Sequence, residues 1–128
     1  RQPYNGFNYP YNSGEDVGLL QDNGASVRYE TYDMLIPVYI PVGYRMTGCV
    51  LNYNNPPDDV YIYWNHANGG QSVQRKHDST PTSGETITLS SSDYIDGGYL
   101  DYATIKLAND NGNICEFNGG HIIIERIP

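Results

Sequence analysis

Residues 60–77 read VYIYWNHANGGQSVQRKH, and this stretch decides the fold class. Over residues 60–64 apolar side chains and tyrosines alternate strictly, which is the period of two of a strand with one buried face. Asn68-Gly69 follows, and this pair suits a tight turn whose central residues have positive φ. The segment therefore predicts a β-hairpin whose second strand covers residues 72–77.

Similar short segments, separated by turn residues, recur outward from this hairpin in both directions. Pro37 and Pro41 place one of them at a sheet edge or a bulge, and Asn111-Gly112 predicts a second hairpin. No stretch keeps a helical period of 3.6 for three turns. About eight to ten short strands at regular spacing predict an all-β fold, a β-sandwich of the jelly-roll or immunoglobulin-like kind. The predicted strands cover residues 26–32, 34–40, 44–53, 60–64, 72–77, 86–89, 100–107, 113–117 and 122–124.

The chain length and its N-terminal composition predict two unequal parts. The 128 residues suit one domain, and we assign residues 16–128 to a single β-sandwich. Residues 1–15 form an aromatic arm that is rich in proline and glycine. Because proline and glycine disfavour regular strands, we expect no regular strand in this arm. We expect the arm to pack on its own domain, on a neighbouring subunit or on a ligand. The alternative is a partly ordered terminus.

Net charge excludes two classes of partner. The formal charge is −8, and only seven lysines and arginines are present, scattered along the chain. Nucleic-acid binding requires clustered positive charge that displaces counterions from phosphates. The same balance argues against docking on an anionic membrane, and no apolar run is long enough for a spanning helix.

The two cysteines, Cys49 and Cys115, provide the main indication of the cellular compartment. Both lie in strand-like segments, and a disulfide between them would suit an exported β domain. We therefore predict this bridge and a secreted or extracellular location. The alternative is a pair of buried, reduced thiols in a cytosolic protein.

The sequence contains no catalytic motif, and we expect a protein that is not an enzyme. A hydrolytic triad needs a nucleophile, a base and an orienting acid that converge in space. His77-Asp78-Ser79 has suitable residue types, but adjacent residues at the end of a strand point apart. A carboxylate pair for glycoside cleavage would have to be assembled by the fold.

Calcium is the one metal ion that the composition suggests. Ca²⁺ prefers six to eight oxygen ligands from carboxylates, amides and carbonyls. Asp93, Asp96 and Asp101 lie close together in sequence and are the predicted metal ligands, with Asp58-Asp59 as a second acidic pair. The alternative is that these residues are ordinary polar loop tips.

The abundance of tyrosine and asparagine favours a carbohydrate-binding protein: a lectin, an adhesin or a carbohydrate-binding module. Sugars present apolar C–H faces and many hydroxyl groups, so an aromatic platform with planar polar side chains suits them. The expected partner is a glycan or polysaccharide. The predicted ligand-binding residues are Tyr61, Tyr63, Trp64, Asn65, His66, Asn68, Tyr99 and Asp101.

Each of these residues also has a structural interpretation. Tyrosine is a favoured strand residue that often covers a sheet face, and Trp64 shares its predicted face with Val60 and Ile62. The alternative function is a homo-oligomeric structural subunit of an extracellular filament, a surface layer or a virion fibre. In that case residues 1–15 would provide the assembly contact.

Overall fold

The computed structural model describes residues 33–109 and 113–128, together with the backbone of two short strands at 19–20 and 27–30. The predicted arm, residues 1–15, and the predicted Asn111-Gly112 turn lie outside the described residues. A short 3-10 helix covers Ser91–Asp93, and the other regular structure within the described residues is β. The strands are β1 Leu19–Leu20, β2 Val27–Glu30, β3 Met34–Val38, β4 Tyr44–Asn55, β5 Asp59–His66, β6 Gln71–Asp78, β7 Thr86–Thr88, β8 Ile95–Asp96, β9 Asp101–Ala108 and β10 Ile114–Arg126.

The strands form two antiparallel sheets, which confirms the predicted all-β class. One sheet has the order β1-β2-β10-β4-β7, with β8 also paired to β4, and the other has the order β3-β9-β5-β6. The pairing is nested: β2 pairs with β10, β3 with β9, β4 with β7 and β8, and β5 with β6. Successive nested pairs therefore alternate between the two sheets.

A single hydrophobic core takes its side chains from both sheets. On β5 the alternation predicted from the sequence buries Val60 and Ile62 completely, and on β9 it buries Ile105 and Leu107. The six-stranded sheet adds Leu51 and its neighbours on β4 and β10. The four-stranded sheet thus has one face against the core and one face turned away from it.

The predicted hairpin at residues 60–77 is confirmed, with a different turn. β5 and β6 pair from Val60 with Asp78 to His66 with Gln71, so the connecting turn has four residues, 67–70. The positive φ angles are those of Gly69 and Gly70, at +93° and +66°. Glycine adopts such angles without steric cost, so Gly69 and Gly70 suit the second half of a four-residue turn that is centred on the predicted Asn68-Gly69 pair.

The edge position predicted for the proline-containing strand is also confirmed. β3 stands at the end of the strand order of the described four-stranded sheet, where it pairs with β9. Pro37 lies opposite Thr104 within this pair. Because proline has no amide hydrogen, it is tolerated best where one side of the strand needs no donor.

The predicted disulfide is wrong. Cys49 and Cys115 are both buried thiols with no bridge between them. They lie on the paired strands β4 and β10, but the register places Cys49 opposite Ile122, seven residues along β10 from Cys115. At about 3.3 Å per residue this separates the two cysteines by roughly 20 Å, whereas a disulfide requires Cα atoms within about 7 Å. The predicted extracellular location thereby loses its main support.

Within the described ranges, no helix has the length and apolar character needed to cross a membrane.

Candidate functional site

The face of the four-stranded sheet that points away from the core is ordered into three rows of side chains. The registers of β3 with β9, β9 with β5 and β5 with β6 align four residues in each of the first two rows. Tyr39 follows directly after Val38, the partner of Ala103, and so lies beside Tyr102 in the third row. We call these twelve residues the outer face. Its rows are Leu35, Lys106, Tyr61 and His77; Pro37, Thr104, Tyr63 and Gln74; and Tyr39, Tyr102, Asn65 and Ser72.

A β-bulge in β6 keeps the polar side chains of that strand on the outer face. His77 lies opposite Tyr61 and Gln74 opposite Tyr63, although His77 and Gln74 are three residues apart. Three is an odd number, so a regular strand would point them to opposite faces. The register shift beside Tyr63 leaves Arg75 as the extra residue and restores the common orientation.

Aromatic side chains cross the outer face diagonally. Tyr39 lies next to the edge strand β3, Tyr102 on β9, Tyr63 and Tyr61 on β5, and His77 on the opposite outer strand β6. Tyr39 is 55% exposed and Tyr102 is 38% exposed, while the two tyrosines of β5 are half-buried. An exposed, contiguous group of large side chains on a sheet is typical of an interaction surface.

The orientation of the Tyr61 ring is fixed by contacts with three neighbouring side chains. Its ring stacks on the His77 imidazole, with a centroid distance of 4.4 Å and an interplanar angle of 8°. The Lys106 ammonium lies 5.3 Å from the ring centroid, and the Tyr63 ring is 6.2 Å away. With His77 on its ring and Lys106 beside it, Tyr61 is oriented before any ligand arrives, and its ring is not a bare platform.

The two basic side chains of the outer face are each matched by a carboxylate. His77 Nε2 lies 2.8 Å from Asp59 Oδ1, and Lys106 Nζ lies 3.4 Å from Asp33 Oδ2. These pairs are partly exposed and contribute little to stability. Each basic side chain of the outer face therefore already has a carboxylate partner among the described residues.

The Asn65 side chain is a fixed polar group in the third row of the outer face. Its amide nitrogen donates to Thr104 Oγ1 at 2.6 Å, and its carbonyl oxygen accepts from Ser72 Oγ at 2.8 Å. The side chain is only 8% exposed, and its two partners come from the strands on either side of β5. The amide is therefore locked in one orientation across three strands.

Three of the predicted ligand-binding residues lie on the opposite side of the sheet. Trp64 packs against the core, and the Arg75 guanidinium lies 5.6 Å from its ring centroid. His66 stacks beside Trp64 at 5.9 Å and contacts Asp101 Oδ1 through Nδ1 at 2.5 Å. Trp64 therefore has the packing role that its alternation with Val60 and Ile62 indicates.

Two further predicted residues lie in loops at one end of the sheet. Asn68 is in the β5–β6 turn, and Tyr99, which is 94% exposed, lies in the loop before β9. The Ala67 amide donates to the Leu100 carbonyl at 2.8 Å, which ties these two loops together. Of the eight predicted ligand-binding residues, only Tyr61, Tyr63 and Asn65 belong to the outer face.

The three aspartates predicted as calcium ligands have separate surroundings. Asp93 accepts a hydrogen bond from Ser90 Oγ at 2.8 Å, Asp96 is exposed on β8, and Asp101 pairs with His66. Among the residues that the structure describes, no group of three or more histidine, cysteine, aspartate or glutamate side chains is arranged to hold a metal ion. The structure does not assemble these aspartates into one site.

The His–Asp pairs are the arrangement closest to acid–base chemistry. In both His66–Asp101 and His77–Asp59 a carboxylate orients an imidazole. A triad also needs a nucleophilic side chain on the second ring nitrogen. Within residues 33–109 and 113–128, neither imidazole has a serine, threonine or cysteine side chain as a hydrogen-bond partner.

A second polar cluster braces the loop between β6 and β7. Asp78 accepts from the Thr80 amide and Glu85 from the Thr82 amide, at 3.1 and 3.0 Å. A hydrogen bond between the two carboxyl groups raises the pKa of Glu85. Asp78 Oδ2 is buried and has no other partner among the described residues, so it is the natural acceptor for the Glu85 proton.

Cys49 and Tyr53 lie in the apolar core near the Asp78–Glu85 pair. Burial, with a smaller effect of the nearby Asp78 and Glu85 carboxylates, raises the pKa of the Cys49 thiol to about 12. Burial also raises the pKa of Tyr53. Both groups are therefore neutral at physiological pH, and Cys49 is a packing residue and not a reactive thiol.

The main residues that sequence reasoning missed are Tyr39, Tyr102, Thr104, Ser72 and Gln74. Each occupies an outward position of a predicted strand, so alternation alone would have placed the first three on the exposed face. Which of them stand side by side depends on the pairing of β3, β9 and β5, which are distant in sequence. Neither a protein-family model, nor a curated protein, nor a solved structure matches this chain.

Proposed function

We propose that this protein binds carbohydrate on the outer face of its four-stranded sheet. The observation that carries the proposal is the diagonal of aromatic side chains, two of them exposed tyrosines, beside an asparagine that two hydrogen bonds hold in place. Tyr39 and Tyr102 offer apolar ring surface to the C–H groups of a sugar. Asn65, Thr104 and Ser72 provide amide and hydroxyl groups for sugar hydroxyls.

Preorganisation supports this assignment over that of a plain sheet surface. A ligand that meets ordered side chains does not have to immobilise them, so less binding energy is lost as entropy. The Asn65 amide is held at both ends, and Tyr61 is held by His77 and Lys106. Both groups are therefore in place before binding.

The nested pairing supports a jelly-roll sandwich as the scaffold. Four successive antiparallel pairs alternate between the sheets, and one core takes side chains from both. Nested pairs that alternate between two sheets arise when a long antiparallel hairpin is wrapped around a core. The jelly roll, which contains two Greek keys, has this pairing. The proposal for function depends on the outer face and not on this class, because one fold serves many functions.

A glycan array with the full chain tests the proposal. We expect binding that falls about fivefold in Tyr102→Ala, since an aromatic contact is worth about 1 kcal/mol and 1.4 kcal/mol corresponds to a tenfold change in affinity. Val42→Ala is the matched control, because Val42 is an exposed apolar residue in the turn before β4. Unchanged binding in Tyr102→Ala together with lost binding in Tyr99→Ala would move the site to the loop end.

An EDTA arm tests the predicted calcium. Because Asp93 and Asp101 have separate partners and Asp96 is exposed on β8, we expect glycan binding to persist in EDTA. Loss of binding in EDTA would restore a calcium site. Size-exclusion chromatography of the same variants tests the alternative role: if Tyr102→Ala dissociates an oligomer and no glycan binds, the outer face is an assembly contact.

A further inference from the structure

We propose that the outer face takes an internal stretch of an extended, uncharged polysaccharide, laid along the diagonal from Tyr39 to His77. This inference rests on the proposed function and adds the class of ligand. Its three supports are the length of the diagonal, its open ends and the neutralised charges beside it.

The diagonal spans the whole sheet. It crosses all four strands, from the residue after β3 to β6, and all three rows. Strands are about 4.8 Å apart and same-face residues about 6.8 Å apart, so the diagonal measures about 20 Å, the length of about four sugar units in an extended chain. A single sugar would contact only one or two of the aromatic side chains.

Both ends of the diagonal reach the border of the described sheet. Tyr39 follows the strand at one end of the strand order, and His77 lies on the strand at the other end. Tyr39 and His77 are both exposed. Recognition of a chain terminus requires an enclosing pocket, whereas a path that leaves the sheet at both ends lets a chain continue past it.

The charges of the outer face favour a neutral ligand. Lys106 and His77 are its basic groups, and each already has a carboxylate partner, Asp33 or Asp59. A uronate or a sulfated sugar would have to displace these partners. It would also approach a protein with a net charge of −8, which repels polyanions.

Affinity gel electrophoresis followed by calorimetry tests this inference on the full chain. The probes are soluble neutral β-glucan, xylan and galactomannan, with alginate and heparin as charged comparisons. The oligosaccharide series of the best neutral probe, from one to six units, is then titrated. We expect affinity to rise at least tenfold from the disaccharide to the tetrasaccharide and to change less than twofold from four to six units.

Variants at the two ends of the diagonal sharpen the test. Tyr39→Ala removes one end contact alone, so it is expected to weaken the tetrasaccharide at least threefold and the disaccharide less than twofold. His77→Ala removes the other end contact and also the ring that orients Tyr61, so it is expected to weaken both oligosaccharides. Val42→Ala is again the control for an exposed apolar truncation. Circular dichroism confirms that each variant is folded.

The outcomes separate this inference from the proposed function. A monosaccharide that binds as tightly as the tetrasaccharide, or tighter binding of alginate or heparin than of any neutral probe, would overturn the extended neutral ligand and leave carbohydrate binding intact. Absence of binding to every glycan by folded protein would overturn both.

Discussion

Replacing Gly120 by alanine is a stringent test of the register between β4 and β10, the two longest strands. A Cβ atom at Gly120 would lie 2.1 Å from the Val50 carbonyl oxygen and 3.1 Å from the Leu51 Cα. Both contacts are with backbone, which cannot rotate away. The two strands would have to separate by about 1 Å to restore an ordinary contact distance.

The cost of this separation follows from the ladder it disrupts. Hydrogen bonds of about 2.9 Å would lengthen beyond the limit of a useful bond, and two of them are worth about 2 kcal/mol. Strained packing of the buried neighbours Leu51 and Ile122 adds about 1–3 kcal/mol. We therefore expect Gly120→Ala to lower the free energy of unfolding by about 3–5 kcal/mol and Tm by roughly 10–20 °C.

Urea unfolding followed by Trp64 fluorescence and by circular dichroism measures this loss. Gly43→Ala is the matched control: Gly43 has a φ of +90° with no atom within 4 Å of a new Cβ, so alanine there costs only backbone strain, about 1–2 kcal/mol. If Gly120→Ala costs no more than Gly43→Ala, the register is refuted. The separation of Cys49 from Cys115 is inferred from the same register, so this inference would be refuted as well.

Three further predictions concern the thiols, the carboxyl pair and the outer face. Native protein should react slowly with a thiol reagent and show two thiols per chain once unfolded without reductant, because Cys49 and Cys115 are buried and unbridged. Glu85→Gln should remove a small pH-dependent stabilisation, under about 1 kcal/mol since both carboxyl groups are only partly buried. Because the pKa of Glu85 is raised, its protonated contact with Asp78 is complete below the ordinary pKa of glutamate and is lost as pH rises through the raised pKa. Asn65→Ala should cost about 1–2 kcal/mol in urea unfolding, from two lost side-chain hydrogen bonds.

Each of these has an opposite outcome. No thiol in unfolded, unreduced protein would reinstate the disulfide. A Glu85→Gln variant whose stability relative to the wild type is the same near pH 4 and near pH 7 would show that the two carboxyl groups share no proton. Asn68→Ala, in the exposed turn, is the control for Asn65→Ala, and equal small losses would mean that the Asn65 amide is not locked.

Much of the fold could be predicted from local sequence because local physics dictates it. The alternation of Val60 and Ile62 with tyrosines predicts a strand with one buried face, and Pro37 predicts an edge strand. The structure agrees in both places. Local signals failed in two places. The turn after β5 has four residues and not two, and β10 continues through Gly119 and Gly120, where sequence patterning predicts a break.

The candidate site was predicted only in part, for a physical reason. Side-chain type alone predicts Tyr61, Tyr63 and Asn65 as binding residues, but it also selects Trp64 and His66, which lie on the opposite side of the sheet. Tyr102 and Tyr39 were not predicted, since their place beside Asn65 depends on pairing between strands far apart in the chain.

The sequence by itself therefore determined the β class, the hairpin at 60–77 and the face to which each side chain of residues 60–64 points. These depend on the two-residue period and on turn chemistry, which act over a few neighbours. Only the tertiary structure decided that Cys49 faces Ile122 and not Cys115, that a bulge at Arg75 returns His77 to the outer face, and that the aromatic side chains of the outer face form one diagonal. Register between distant strands is set by the packing of the whole core, and no local pattern specifies it.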